Sequence, residues 1–202
     1  MIAMKSTADY RRMAYAAGSP SKPDRDSNDW HTPARYIEAT RIVLERIDLD
    51  PFSSEVANQT VKADRFLSES DNSLHPRHWS DRPITVWANP PYGRGIVDAA
   101  IARFLVELPR LSAAIVLVNN ATETRWFQSM MRECQAVCFT DHRIAFVSPD
   151  NKAVSGNTRG QTFFYFGQRW YQFAQTFKQF GSCCAVIAQG DRHAHENLLW
   201  LQ

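Results

Sequence analysis

The chain has 202 residues, of which 44% are hydrophobic, and this length suits one compact domain with a buried core. Its formal net charge of +2 is compatible with contacts to phosphate groups but excludes a histone-like polycation. Charged side chains interrupt residues 1–17, so this segment lacks the apolar stretch of a secretory signal. Since the longest apolar run, 113–118, is too short to cross a bilayer, we expect a soluble, cytoplasmic protein without a membrane partner.

The four cysteines do not predict a metal site. Neither the pair Cys134 and Cys138 nor the pair Cys183 and Cys184 has the Cys-x-x-Cys spacing of zinc ligands. We therefore expect small buried thiols and no bound metal.

The N-terminal region predicts a leader followed by a helix. Residues 18–29 are rich in Pro, Ser and Asp, which predicts a flexible leader over 1–28, a folded domain over 29–190 and a tail over 191–202. Thr32 supplies a hydroxyl N-cap and Pro33 suits the first helical position. Apolar residues then recur at helical spacing as far as Ile47, so a helix is predicted here.

The remaining elements alternate between strands and helices. Helices are predicted over 96–105 and 126–132, and strands over 47–50, 61–66, 84–88, 114–119, 138–139, 144–147, 162–166 and 183–188. This order predicts an α/β fold with a mostly parallel sheet, helices on both faces and an antiparallel C-terminal edge. The polar segment 148–160 is long enough to be functional or disordered.

The tetrapeptide Asn89-Pro90-Pro91-Tyr92 is the strongest candidate for chemistry. It follows a predicted strand and precedes two glycines and a helix, where open α/β sheets place their ligands. The amino group of adenine is a poor nucleophile because its lone pair is delocalised into the ring. The Asn89 side-chain oxygen and the Pro90 carbonyl can each accept one of its N–H groups and return that lone pair to nitrogen. The same four residues could also form an ordinary turn.

Two further features of the loop favour a flipped nucleobase. Proline at position 90 fixes φ and stiffens the loop, and Pro91 follows it. Tyr92 offers an aromatic face on which a base could stack, since the reacting nitrogen is inaccessible inside a duplex.

Carboxylates near the first predicted strand are candidates for binding a nucleoside. Asp48 and Asp50 lie on that strand and Pro51 ends it, although Asp-Pro is also a common strand exit. Asp64 and Asp71 are candidates for ribose contacts, with solvated surface charge as the alternative.

Together these motifs resemble the phage-type DNA adenine-N6 methyltransferase (Dam-like) family over about residues 29–166. The matching positions are Trp30, Thr32, Pro33, Asp48, Asp50, Pro51, Asp71, Asn72, Leu74, Trp79 and 89–93. The resemblance implies a class I S-adenosylmethionine-dependent methyltransferase fold, S-adenosyl-L-methionine as the methyl donor and adenine of double-stranded DNA as the acceptor. It places positions 30, 32, 33, 48, 50, 51 and 71 on the cofactor side and 89–92 in the catalytic loop, and it implies action in the cytoplasm of a bacterial host.

Two departures from the family pattern keep alternatives open. The segment 52–56 lacks the glycine-rich turn that many methyltransferases place after the first strand, so a non-catalytic DNA-binding module is one alternative. No insertion between the motifs is long enough for a separate target-recognition domain, which leaves His142, Arg143, Lys152 and Arg159 as candidate DNA contacts or as an exposed hairpin. An RNA adenine or a protein glutamine could also be the acceptor.

Overall fold

The computed structural model describes residues 31–92, 95–148 and 159–187. The predicted leader and tail therefore lie outside the described residues, as do Trp30 and Lys152.

Five helices and seven strands make up the described chain. The helices are α1 (Ala34–Leu44), α2 (Glu55–Val61), α3 (Ile96–Glu107), α4 (Arg125–Glu133) and α5 (Trp170–Phe177). The strands are β1 (Leu49–Asp50), β2 (Arg65–Phe66), β3 (Thr85–Ala88), β4 (Ala113–Asn119), β5 (Ala136–Thr140), β6 (Gln161–Phe166) and β7 (Gly181–Ala185). Short 3₁₀ turns occupy Glu69–Asp71, Pro76–His78 and Leu108–Arg110.

All seven strands belong to one sheet in the order β2-β1-β3-β4-β6-β5-β7. Strands β2, β1, β3 and β4 pair in parallel, whereas β6 runs antiparallel to both β4 and β5, and β7 is antiparallel to β5. The predicted α/β fold, with its mostly parallel sheet and antiparallel C-terminal edge, is confirmed.

Apolar side chains cover both faces of the sheet. On one face α1 and α5 pack Tyr36, Phe173 and Phe177 against the strands. On the other face α3 and α4 contribute Phe104 and Phe127. Strand β4 is buried on both sides, and its nearly continuous run of Ala, Ile, Val and Leu is the pattern expected of a central parallel strand.

Of the predicted strands, one was wrong in extent and one was wrong altogether. The segment predicted over 61–66 is mostly other structure, because Val61 ends α2 and only Arg65 and Phe66 pair with β1. The segment 144–147 forms no strand; it makes a single bridge in which Val147 pairs with His31. Buried Ile144 and Phe146 account for the apolar pattern, because these side chains pack into the core without strand pairing.

Two helices were not predicted. Helix α2 begins where the Ser54 hydroxyl accepts a hydrogen bond from the Ala57 backbone N–H at 3.1 Å. Helix α5 is rich in aromatic residues, which favour strands at least as strongly as helices.

No disulfide joins the four cysteines, and the expectation that all four are buried was wrong. Cys134 and Cys138 are buried, but Cys183 is half-buried and Cys184 is exposed, because β7 is an edge strand. Within the described ranges, no group of three or more His, Cys, Asp or Glu side chains is arranged to hold a metal ion. None of the helices described there is long and apolar enough to span a membrane.

Candidate active site at the carboxyl edge of the sheet

The strand order reverses beside β1, and this places two predicted residues in one crevice. The chain passes from β1 to β2 on one side and then returns to β3 on the other side of β1. Asp50 ends β1 and Asn89 follows β3, so both lie at the carboxyl edge next to this reversal. Leu49 pairs with Val86, and standard strand spacing then separates the Asp50 and Asn89 backbones by roughly 8 Å. Ligands of open α/β sheets bind at such a crevice.

The Asn89 side chain is held by Thr32. The Asn89 Nδ2 group donates to the Thr32 hydroxyl at 3.3 Å. The opposite atom of the amide, Oδ1, is buried and accepts no hydrogen bond from any residue that the structure describes. An acceptor buried without a donor is costly, so Oδ1 is suited to an N–H group of a ligand.

The interpretation of Thr32 as a helix cap was wrong. The N-cap of α1 is Pro33, and no side chain caps this helix end. Thr32 is buried, and its hydroxyl faces the catalytic-loop candidate instead. This contact could not be predicted from local sequence, because the two residues are far apart in the chain.

The rest of the predicted catalytic loop lies beside β4. Pro90 is buried and Pro91 is half-buried. No backbone N–H among the described residues donates to the Pro90 carbonyl. The Tyr92 hydroxyl donates to the Leu117 carbonyl of β4 at 3.5 Å, and burial raises the pKa of this phenol, which therefore stays neutral.

Asp50 is a buried carboxyl group at the same edge. Its side chain and backbone are only 2% exposed, and Pro51 behind it is also buried. Burial raises the pKa of Asp50 to about 7, although the hydrogen bond from the Phe52 N–H acts in the opposite direction. No Lys or Arg of the described segments pairs with this carboxylate, so its charge is available for a cationic ligand.

Asp48 does not join this crevice. It precedes β1 and lies opposite Thr85, the first residue of β3, and therefore at the other end of the strands. Its Oδ2 accepts hydrogen bonds from the Thr85 N–H at 2.7 Å and the Thr85 hydroxyl at 2.8 Å, and its Oδ1 pairs with Arg46 at 2.6 Å. The structure thus gives Asp48 a role in joining strands.

The other two carboxylates differ in position. Asp71 follows β2 and closes a capping box in which its Oδ2 accepts from the Ser68 N–H at 2.8 Å and the Ser68 hydroxyl at 2.6 Å. These hydrogen bonds lower the pKa of Asp71. Asp64 is exposed and pairs with Arg46, away from the carboxyl edge.

A cluster of amide side chains beyond β4 was not predicted. Gln161, which begins β6, is fully buried; its Oε1 accepts from the Ile144 N–H at 2.9 Å. Its Nε2 donates to the Arg159 carbonyl at 2.6 Å and to the Asn119 side chain at 3.3 Å. Gln161 therefore fixes both ends of the segment between β5 and β6 against the end of β4.

The predicted DNA-contact residues within the described chain lie along this rim. His142 and Arg143 follow β5, and Arg159 precedes β6. Arg143 and Arg159 are exposed, whereas His142 is partly covered by the first turn of α1. The structure brings these three residues to the edge that carries Asn89.

Comparison with known proteins points to one family. A family model described as "DNA N-6-adenine-methyltransferase (Dam)" matches residues 19–190. A protein of Escherichia phage T1 named "DNA N-6-adenine-methyltransferase" is 25% identical over 158 residues. The match includes 70% of this chain and 63% of that relative, so the chain spans less than two thirds of the relative's length.

Proposed function

Because the chain belongs to the DNA N-6-adenine-methyltransferase (Dam) family, we propose that it transfers a methyl group from S-adenosyl-L-methionine to the N6 amino group of adenine in double-stranded DNA. The observation that carries this proposal is the buried Asn89 Oδ1, which accepts no hydrogen bond within the described chain and lies beside the point where the strand order reverses.

In this proposal Asn89 and Pro90 activate the amino group. The Asn89 Oδ1 and the Pro90 carbonyl each accept one N–H, which draws the nitrogen toward tetrahedral geometry and directs its lone pair away from the ring. Thr32 supports this arrangement because its bond to Nδ2 leaves Oδ1 as the atom that faces the substrate. The neutral Tyr92 provides an aromatic surface for an adenine that has left the base stack.

The residues at the carboxyl edge fit the methyl donor. S-adenosyl-L-methionine carries a positively charged sulfonium and an ammonium group, and when bound it supplies the methyl group. We assign Asp50 to the ammonium group, because this buried carboxylate has no cationic partner within the described chain. The Asp71 Oδ1, which takes no part in the capping box, is assigned to a ribose hydroxyl. In this proposal Pro33 and Pro51 fix the backbone next to the cofactor. Trp30 is assigned to cover the bound cofactor.

The test identifies donor, acceptor and catalytic loop together. The protein is incubated with S-adenosylmethionine tritiated in its methyl group and with mixed-sequence duplex DNA, and the labelled nucleoside is identified after hydrolysis. Label is expected in N6-methyladenine and should fall at least ~100-fold in Asn89→Ala, as when one donor or acceptor to a reacting centre is lost. Gln59→Ala, at an exposed position of α2, is the matched control and should retain full activity.

Other outcomes identify the alternatives. Measurable donor binding with no label in DNA, but with label in RNA or in a glutamine peptide, would overturn the assignment of DNA as acceptor. Duplex binding that is unchanged by Asn89→Ala, without transfer to any acceptor, would indicate a binding module.

A further inference from the structure

Arg35 is held in a fixed position by the side chains of Tyr36 and His142. Its Nη2 group donates to the Tyr36 hydroxyl at 2.5 Å and lies 3.1 Å from His142 Nε2. The Tyr36 hydroxyl is in turn 2.7 Å from the same His142 nitrogen. These three side chains close a hydrogen-bonded triangle between the first turn of α1 and the segment after β5.

The base of this triangle is rigid. Tyr36 is fully buried, and its ring packs on Phe163 and Phe180 with centroid separations of 5.5 and 4.7 Å. His142 is anchored on its other side, because Nδ1 lies 2.5 Å from the Asp141 carboxylate. Burial raises the pKa of the Tyr36 hydroxyl, so it stays neutral beside the guanidinium at physiological pH.

The charge of Arg35 is not balanced locally. Within the described residues no carboxylate oxygen lies within 4.0 Å of its guanidinium, whereas Arg41, Arg46, Arg103, Arg110 and Arg169 each have at least one. Asp141, the nearest acidic contact of the triangle, bonds to His142 instead. Arg35 is exposed, so its remaining N–H groups face solvent and can bind an anion.

The triangle lies at the edge that carries the candidate active site. Arg35 is three residues after Thr32, which bonds to Asn89, and His142 follows the carboxyl end of β5. The exposed Arg143 adds positive charge next to it. A DNA phosphate one or two nucleotides from a base at Asn89 would lie within reach, since each strand carries one charge per about 3.4 Å of helix axis.

We propose that Arg35, oriented by Tyr36 and His142, binds a backbone phosphate of the DNA strand beside the target adenine. This inference rests on the proposed function, because it takes duplex DNA as the partner. Guanidinium groups bind phosphate through two parallel N–H donors, and a side chain that is already ordered loses less conformational entropy on binding. His142, predicted above as a direct DNA contact, thereby becomes a positioning residue for Arg35.

The salt dependence of DNA binding tests the phosphate contact. Affinity for a fluorescein-labelled duplex is measured by anisotropy over a series of NaCl concentrations. We expect Arg35→Gln to weaken binding about 5- to 10-fold near 0.1 M salt and to reduce the slope of log K against log[NaCl] by about 0.9. The matched control is Arg110→Gln, an exposed arginine just before β4 at the opposite edge, which should change neither quantity.

Tyr36→Phe separates positioning from charge. It keeps the buried ring and the Arg35 charge but removes the hydroxyl that holds the guanidinium, so affinity should fall about 2- to 3-fold while the salt slope stays near that of the unchanged protein.

Equal affinities and slopes for Arg35→Gln and Arg110→Gln would overturn the phosphate site, even where the unchanged protein methylates DNA. Arg35-dependent duplex binding without methyl transfer would instead overturn the proposed function and support the phosphate site. Failure of the unchanged protein to bind the duplex would overturn both.

Discussion

The Thr32 hydroxyl accepts a hydrogen bond from the Asn89 amide at 3.3 Å, and this contact connects the start of α1 with the loop after β3. An asparagine amide can turn over and exchange its oxygen and nitrogen, and only one orientation presents an acceptor to a ligand. In the structure Thr32 accepts from Nδ2, and this orientation leaves Oδ1 without a donor in the described chain. A residue outside the tetrapeptide thus sets the chemistry that the tetrapeptide offers.

Replacing Thr32 should lower the rate of methyl transfer more than it lowers stability. Thr32→Val keeps the volume of the side chain but removes the acceptor of Asn89 Nδ2, and we expect kcat to fall about 10-fold because the amide is no longer fixed. Thr32→Ser keeps the hydroxyl and should recover most of the activity. The measurement is kcat and KM for methyl transfer to an unmethylated duplex, with the melting temperature of each variant.

Thr40→Val provides a matched control for this variant. Thr40 is also buried in α1, but its hydroxyl bonds to the Tyr36 carbonyl at 2.9 Å and is remote from Asn89. Equal losses of kcat in Thr32→Val and Thr40→Val would show that the effect comes from the helix and would contradict a positioning role.

Asp50 should make stability depend on pH in an unusual direction. Its pKa is about 7 in the folded protein against an ordinary value of 3.8, so between these values the folded state binds more protons than the unfolded state. The cost of ionising the buried carboxyl group therefore increases as pH rises from about 4 to 7 and is constant above that range. We expect Asp50→Asn to raise the melting temperature, relative to the unchanged protein, by on the order of 5 °C more at pH 8 than at pH 5.

The same variant should bind the methyl donor weakly at every pH. The unchanged protein should bind it more tightly as pH rises toward 8, because the ionised carboxylate is the form that attracts an ammonium group. Calorimetric titrations at pH 5.5 and pH 8 measure both trends. Donor affinity that is the same in Asp50→Asn and in the unchanged protein would remove Asp50 from the cofactor site.

The position of the catalytic loop could be predicted from sequence, whereas the roles of two neighbours could not. Asn89 follows a buried strand and precedes glycines, and parallel strands bring such loops to one edge. In the sequence Asp48 and Asp50 look equivalent, because both are adjacent to Leu49. The register of β1 with β3 nevertheless places Asp48 at the amino end and Asp50 at the carboxyl end of the strand. Register depends on contacts between segments 37 residues apart, and a strand of two residues carries no pattern that reveals it.

Local signals also misassigned the cap of α1, a helix that was predicted, and missed α5. Thr32 before Pro33 has the composition of a cap, but the tertiary contact with Asn89 takes its hydroxyl. Helix α5 places Trp170, Phe173 and Phe177 at helical spacing, but it was not predicted because aromatic residues favour strands at least as strongly.

Gly181 should tolerate no side chain, because it begins β7 directly against β5. A Cβ atom there would overlap the Phe139 carbonyl oxygen and lie 2.7 Å from the Asp141 nitrogen, and the φ of Gly181 is +156°. Gly181→Ala is expected to lower the free energy of unfolding by more than about 3 kcal/mol or to prevent folding, since rigid backbone must move. The readout is urea denaturation, or the soluble yield where the variant does not fold.

The variant Gly95→Ala measures backbone strain without the steric overlap expected in Gly181→Ala. The φ of Gly95 is +75°, but a Cβ atom would meet nothing within 4 Å, so Gly95→Ala should cost only about 1 kcal/mol. Similar losses of unfolding free energy in Gly181→Ala and Gly95→Ala would mean that β7 moves away freely and that its pairing with β5 does not constrain Gly181.

Gln161 should stabilise the rim that carries the proposed DNA contacts. Gln161→Leu leaves the Ile144 N–H without its acceptor and the Arg159 carbonyl without its donor, so we expect the free energy of unfolding to fall by about 2 to 4 kcal/mol. Gln161→Glu keeps an acceptor for Ile144 but cannot donate to Arg159 in its ionised form. Because Gln161→Glu also buries a charge, it should be at least as destabilised as Gln161→Leu near pH 8. Its stability should recover toward pH 5, where protonation of the carboxylate restores a donor. Urea denaturation at the two pH values distinguishes this network from simple packing, which would make Gln161→Leu neutral and Gln161→Glu insensitive to pH.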